Sequence, residues 1–434
     1  MSKKRRKRNH FKQIIKCLFL CVFLGFSYLF LITSKTKTIE GNIQEISDTS
    51  ITVCSEDHHT YTFVVDNPDD YIIHSKVSVT YHFKNKIKSV EVLGILDLKE
   101  EKIQEIMSQM SIEEKVGQLF IVRCPEEAIE EIKRYKPGGY ILFSSDFKND
   151  TFKSVKGKIQ SYQNTSKVPM LIAVDEEGGQ VTRISQFEQY HHDKFQSPQE
   201  LYEDGGFDLI VNDTKDKDDF LKSLGINVNF GPVADVSTSV DDFIYERSFG
   251  QNADLTSKYV STVVQVMKED HMGRVLKHFP GYGNNEDTHV GMVQDNRAYD
   301  NFLKSDFIPF ESGIKEGADM VLVSHNIVTC MDASKPASLS EYVHRILREE
   351  LNFKGVIITD DLYMKGITDY TDNVSAAVSA IKAGNDLLCC TDYITQIPAV
   401  YEAIKNNEIS IERIDESLYR ILSMKIDLGI IPIN

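Results

Sequence analysis

Cysteine is scarce in this sequence, with seven residues in 434. Cys17 and Cys21 fall in an apolar N-terminal run, leaving Cys54, Cys124, Cys330, Cys389 and Cys390, an odd number at irregular spacing. Such a set builds no disulfide framework. Without a CxxC pair or a Cys/His repeat it builds no zinc centre either, so the cysteines read as small buried hydrophobes. Clustered His and Asp ligands are also missing: His58-His59 and His191-His192 lie in polar stretches. A metal-dependent hydrolase is therefore disfavoured, and no cofactor is expected.

Acids are absent from the first sixteen residues, which hold Lys3, Lys4, Arg5, Arg6, Lys7, Arg8, Lys12 and Lys16. The whole chain carries −16, so with those eight positive charges set aside the remainder carries −24. A body that acidic repels nucleic acid, which excludes it as a partner. The basic run instead flanks residues 14–33, IIKCLFLCVFLGFSYLFLIT, whose one charge is Lys16. Twenty helical residues span about 30 Å, one hydrocarbon core. No A-x-A-like site follows, so an uncleaved signal anchor is preferred over a cleaved signal peptide. The basic segment 1–13 should stay in the cytoplasm, with the rest of this single-pass chain outside.

Residues 34–97 alternate apolar and polar positions in five short runs separated by turn residues such as Asn67-Pro68-Asp69-Asp70. That pattern predicts a small all-β, barrel-like domain. Without an aromatic-plus-basic stripe, it reads as a spacer or lid. From residue 98 the texture becomes strand–helix alternation. Eight apolar runs stand out: 118–124, 139–145, 170–175, 226–236, 273–279, 319–325, 355–361 and 386–390. Near-continuous apolar strands between helices imply a parallel sheet covered on both faces. Eight units over 98–434 fit an α/β (β/α)8 TIM barrel, and a doubly wound open sheet is the alternative. Five of these runs end in a charged or imidazole group: Asp175, Asp235, Lys277-His278, His325 and Asp360-Asp361. An Asp there can simply cap the following helix, but Lys and His are poor caps. In a barrel such ends converge at the C-terminal mouth.

The segment KHFPGYGNNEDTH (277–289) resembles the signature loop of the β-N-acetylglucosaminidase branch of glycoside hydrolase family 3. VDEEGGQVTRI (174–184), NFGPVADV (229–236), ERSFG (246–250), SHNIV (324–328) and ITDDLYM (358–364) follow the same family's order. The resemblance runs from about Ile112 to the C-terminus. It implies a retaining, exo-acting enzyme that removes terminal β-N-acetylglucosamine from a carbohydrate substrate, here cell-wall-derived sugars. Asp360 would be the nucleophile, with Asp361 facing away along the strand. His289, oriented by Asp287, would be the acid/base, since imidazole titrates near neutrality. Asp175, Arg183, Arg247, Lys277, His278 and His325 would bind the sugar. Arg183 and Arg247 also read as plain ion pairs, and His325 as core. If adjacent Lys277 and His278 both reach the sugar, the strand there must be irregular.

Two departures from the family stand out: Tyr282 replaces a histidine, and the loop is one residue short before Asp287. Gly281 and Gly283 suggest that the loop moves. β-Glucosidase-type or phosphorolytic chemistry on the same fold, and a non-catalytic wall-binding protein, are the alternative functions.

Overall fold

The structure, a computed structural model, describes residues 36–433 apart from residues 48, 56–58, 66–67, 69–75, 83–85 and 95–97. The expected membrane span at 14–33 lies outside the described residues. Among those described, no helix is long and apolar enough to cross a membrane. The chain divides into two compact units, Met1–Gln104 and Glu105–Asn434.

The first unit holds β1 (Thr36–Ser47), β2 (Ser50–Ser55), β3 (Thr60–Val64), β4 (Lys76–His82) and β5 (Lys86–Gly94). They pair antiparallel in the order β3-β2-β1-β4-β5. Alternation in the sequence becomes two faces. Ile43, Ile51, Val53, Phe63, Val77 and Val79 form the buried cluster, while Thr38–Thr80 and Thr52–Thr62 hydroxyl pairs line the other side. Full burial of each such apolar side chain stabilises by about 1.5–3 kcal/mol before entropy is charged. The edge strands β3 and β5 approach one another, so the sheet is rolled, as expected of a barrel-like domain.

In the second unit all eight apolar runs form strands: β6 (Phe120–Arg123), β7 (Gly139–Leu142), β8 (Leu171–Val174), β9 (Val228–Asn229), β10 (Gly273–Phe279), β12 (Met320–Val323), β14 (Val356–Thr359) and β15 (Leu388–Cys390). Neighbours are parallel, in the order β14-β12-β10-β9-β8-β7-β6-β15. The ring closes where Ile358 bridges Leu387 and the Thr359 N–H donates to the Leu387 carbonyl at 3.2 Å. This is a parallel α/β barrel. Its strands are buried on both faces, as in β14, where Val356, Ile357 and Ile358 are all fully enclosed. Between strands the chain turns helical where side chains can cap it. Ser111 and Ser197 each open a helix with a capping box closed by Glu114 and Glu200, and Asn252 and Ser410 cap two more.

The fourth run departs from expectation. Residues 226–236 read as one strand, yet β9 is two residues long, continued only by a Val233–Lys277 bridge. Pro232 offers no N–H to a ladder, and the segment beyond it serves to present Asp235. A short pair, β11 (Gln294–Asp295) with β13 (Ile327–Val328), lies outside the barrel wall and ties the loop after β10 to the loop after β12.

Candidate active site at the mouth of the barrel

The segment after β8 carries three consecutive acids with three different tasks. Asp175 accepts from Lys277 Nζ at 2.8 Å and, more weakly, from Arg183 Nη2 at 3.4 Å. Glu176 is fully buried and takes the backbone N–H groups of Arg183, Ile184 and Ser185 at 2.8–3.1 Å. It therefore folds the 176–185 loop back and sets the position of Arg183. Glu177 receives Arg247 in a two-pronged contact, Nε at 3.0 Å and Nη2 at 2.7 Å, and lies 2.5 Å from Lys277 Nζ. Burial opposes ionisation of Glu177, but the charges of Arg247 and Lys277 outweigh it and hold the carboxyl far below its usual range.

Lys277 and His278 lie just before β10 ends at Phe279. Their peptide bond is cis, and both side chains enter one cluster of charged groups. Lys277 is 2% exposed and sits between Asp175 and Glu177. The His278 Nδ1 lies 2.8 Å from Asp235 Oδ2, and its Nε2 is 3.2 Å from Arg247 Nη2. Asp235 also accepts the His278 N–H at 3.0 Å and the Tyr282 N–H at 2.7 Å, so it pins the chain from 278 to 282. Asp175, Arg183, Arg247, Lys277 and His278 are thus brought together as expected. The Arg247 guanidinium and the Lys277 ammonium, however, are already engaged by protein carboxylates.

The loop beyond is anchored in a way the sequence did not reveal. Arg297 reaches Asp295, Asp306 and the Gly281 carbonyl at 2.7–3.1 Å. A Cβ on Gly281 would come within 2.3 Å of Asp306, and one on Gly283 within 2.2 Å of Arg297. These glycines, both at positive φ, permit close packing here. Tyr282 is buried, edge-on to His278 at 5.2 Å, and its hydroxyl meets Thr288 Oγ1 at 2.7 Å. Thr288 is itself fully buried, and its carbonyl accepts the Gly366 N–H at 3.0 Å. One residue thus fastens the loop tip to the segment that follows Asp360. Either side of it stand Asp287 and His289, joined Oδ1 to Nδ1 at 2.6 Å, with His289 56% exposed.

Asp360 lies at the end of β14, its N–H bonded to the Val323 carbonyl. Burial would raise its pKa, yet the imidazoles of His325, His278 and His289 more than compensate and hold it below the usual carboxylate range. Asp361 points elsewhere: it accepts the N–H groups of Tyr363 and Thr391 at 3.0 Å and bonds the Thr391 hydroxyl. His325 is completely enclosed. Its Nδ1 meets Ser338 Oγ at 2.8 Å and its Nε2 meets the Asp361 carbonyl at 3.0 Å. Both ring nitrogens are occupied, so His325 is a wall behind Asp360 and not a ligand for a sugar. Burial lowers its pKa, which favours the neutral ring. One functional neighbour escaped the sequence reading, Glu177; Tyr282 stood out there, but not as a side chain buried against His278. Glu177 stood in a quoted motif, but three acids in a row give no hint of which one turns inward.

The arrangement offers one ionised strand-end carboxylate, one exposed imidazole oriented by a carboxylate, and a fixed set of polar groups between them. Residues 111–424 match the glycosyl hydrolase family 3 N-terminal domain. Among curated proteins the chain is 30% identical over 335 residues to beta-hexosaminidase A of Pseudoalteromonas piscicida, covering 70% of this chain and 56% of that one. It is 29% identical over 336 residues to beta-hexosaminidase LpqI of Mycobacterium tuberculosis, covering 74% and 84%. Among solved structures it resembles a glycoside hydrolase family 3 beta-N-acetylglucosaminidase from Paenibacillus sp. str. FPU-7, with TM-score 0.69 and 28% identity over 74% of this chain and 63% of that one. The chain thus spans less than two thirds of the length of two of these three relatives.

Proposed function

The chain belongs to glycosyl hydrolase family 3, and from that premise we propose that it is a retaining, exo-acting glycosidase that removes terminal β-N-acetylglucosamine. Asp360 attacks the anomeric carbon and forms a glycosyl-enzyme while His289 protonates the departing oxygen. His289 then deprotonates the water that releases the sugar, and Asp287 holds its tautomer and stabilises the imidazolium. Asp175, Arg183, Lys277 and His278 grip the ring hydroxyls. The observation that carries this reading is the Thr288 fastening. Asp287 and His289 flank a residue bonded to Gly366, six residues beyond Asp360, which supports a shared mouth for the proposed acid/base and nucleophile. The hexosaminidase names of the relatives support the choice of sugar.

The proposal includes location. Residues 14–33 anchor the chain in the cell membrane with residues 1–13 inside, and the catalytic unit acts outside on cell-wall-derived sugars. Protease added to intact protoplasts should digest the catalytic unit, and protection until lysis would reverse the orientation. For the chemistry, a mechanism-based inhibitor followed by peptide mapping should label Asp360. A label on Asp361 or Asp175 would overturn the assignment.

A further inference from the structure

Two Asp–His pairs stand in this unit, and the second nitrogen of each ring meets opposite surroundings. In the Asp287–His289 pair the Nδ1 contact is 2.6 Å, the imidazole is 56% exposed, and no side chain among the described residues bonds its Nε2. In the Asp235–His278 pair the Nδ1 contact is 2.8 Å and both side chains are nearly closed to solvent. There Nε2 lies 3.2 Å from Arg247 Nη2. A guanidinium has hydrogens to give and no lone pair to offer. One Nη2 hydrogen goes to Glu177 at 2.7 Å, and the other is left for the ring. His278 Nε2 therefore accepts. With the Asp235 carboxylate accepting on the other side, the single ring proton sits on Nδ1.

A second proton on His278 would favour the ionised form of Asp360. It would also set N–H against N–H across 3.2 Å, cation against cation, where little water can screen them. His278 makes no hydrogen bond to Asp360 among the described residues, so the opposed contact with Arg247 decides the form of the ring. Asp235 fixes the backbone as well, taking the N–H groups of His278 and Tyr282 at 3.0 and 2.7 Å. The Tyr282 ring stands edge-on to the imidazole at 5.2 Å. Turning the imidazole over would break both of its nitrogen contacts.

We propose that Asp235 is a positioning residue for sugar recognition: with Arg247 it holds His278 in the Nδ1–H tautomer, so the hydroxyl that meets this ring must donate its hydrogen to Nε2. This deepens the glycosidase reading and rests on it. Lys277 and Arg183 offer only hydrogens. An acceptor of fixed sense beside them selects a hydroxyl over an ether, because a buried group built to bond a hydroxyl is left unpaired by an analogue that lacks one. Of the two pairs, only Asp287–His289 is then free to take up and release a proton.

The test uses the full-length protein in detergent micelles, labelled with 15N-histidine. The His278 ring, assigned through its own backbone N–H, should show a protonated Nδ1 and a bare Nε2 from pH 5 to 8, while His289 gains a proton over the same interval. A protonated Nε2, or a His278 ring that titrates alongside His289, would overturn the proposal. Kinetics supply the second arm, with an aryl N-acetylglucosaminide and its analogues that lack one ring hydroxyl each. Asp235→Asn should lower kcat/KM about 10²-fold on the intact sugar, the scale of a misplaced binding group. The loss should be far smaller on the one analogue whose missing hydroxyl meets His278, because residue and hydroxyl share one contact. Equal losses on every analogue would make Asp235 merely structural and overturn its positioning role. The ring measurement needs no variant, so it tests the tautomer even where Asp235→Asn fails to fold. No turnover of the aryl substrate by the unmutated protein would sink the glycosidase reading and the recognition role with it, an outcome the ring measurement keeps distinct from a wrong tautomer.

Discussion

Two parts of this barrel mouth handle charge in opposite ways. On the β8–β10 side, Asp175, Glu177, Lys277 and Arg247 alternate in sign, every member within 3.4 Å of a partner, and are almost closed to solvent. On the loop side, Asp287 and His289 form a single pair, and the imidazole is more than half exposed. The first part cannot change protonation cheaply, because each proton gained or lost would strand a buried partner. The second can, because solvent stands ready to take up the change. On the proposed reading, recognition and proton transfer are allotted to different environments, and substitutions should separate them.

The largest expected effect joins the two. Asp360→Ala should remove almost all turnover, since no glycosyl-enzyme can form, with the melting temperature nearly unchanged. His289→Ala comes next. Loss of general acid–base catalysis costs about 10²–10⁴-fold, and cleavage of disaccharides should fall that far because a sugar alkoxide leaves poorly without a proton. Activated aryl substrates should suffer less, and added azide should restore their second step. Equal losses for both substrate types with no azide response would take His289 out of the role.

Lys277→Met should act through stability. It leaves Asp175 and Glu177 short of a buried cation, a change that costs about 3–5 kcal/mol, read from urea midpoints. A variant as stable as the parent would mean the alternating charges hold nothing together.

A smaller effect isolates a carboxyl behind the sugar side. Asp218 lines a cavity shared with Glu177 and Arg247; burial and nearby Asp270 push its pKa up to about 8, and one of its oxygens lacks a partner. Its folded pKa is raised, so its contribution is fully present below about pH 4 and is lost as pH rises through about 8. Asp218→Asn should flatten that fall and make the protein roughly 1–3 kcal/mol more stable than its parent above pH 8. Matching pH–stability curves would refute it. Smallest of all, Tyr282→Phe should cost about 1 kcal/mol through the lost Thr288 contact, with a modest fall in kcat and little change in KM.

How much of this was legible beforehand follows from what each feature depends on. The eight strands could be read because burial on both faces writes a continuous apolar run, as at Val356–Thr359. β9 was over-extended because the apolar residues around Pro232 look like strand while the ladder needs an N–H that proline lacks. Charged groups at strand ends announced Asp175, Lys277 and Asp360 as a set, since an Asp alone could be a helix cap but Lys277 and His278 among them could not. His325 shared that signature, and only its contacts with Ser338 and Asp361 show both nitrogens taken. The Arg297 anchor was invisible, because its partners Asp306 and Gly281 meet it only after folding.

The fastening of Thr288 by Tyr282 has a consequence for how this loop can vary. A phenol reaches farther than an imidazole, and by the resemblance drawn from the sequence the loop here is one residue short before Asp287. On that reading the longer side chain would make up for the shorter tether across the Tyr282–Thr288 contact. Replacing Tyr282 with histidine, or inserting one residue before Asp287, should each misplace the tip. The two changes made together should do less harm than their separate losses combined, the non-additivity of residues that share one contact. A double-mutant cycle in which the two losses simply add would show that ring size at position 282 and loop length act independently.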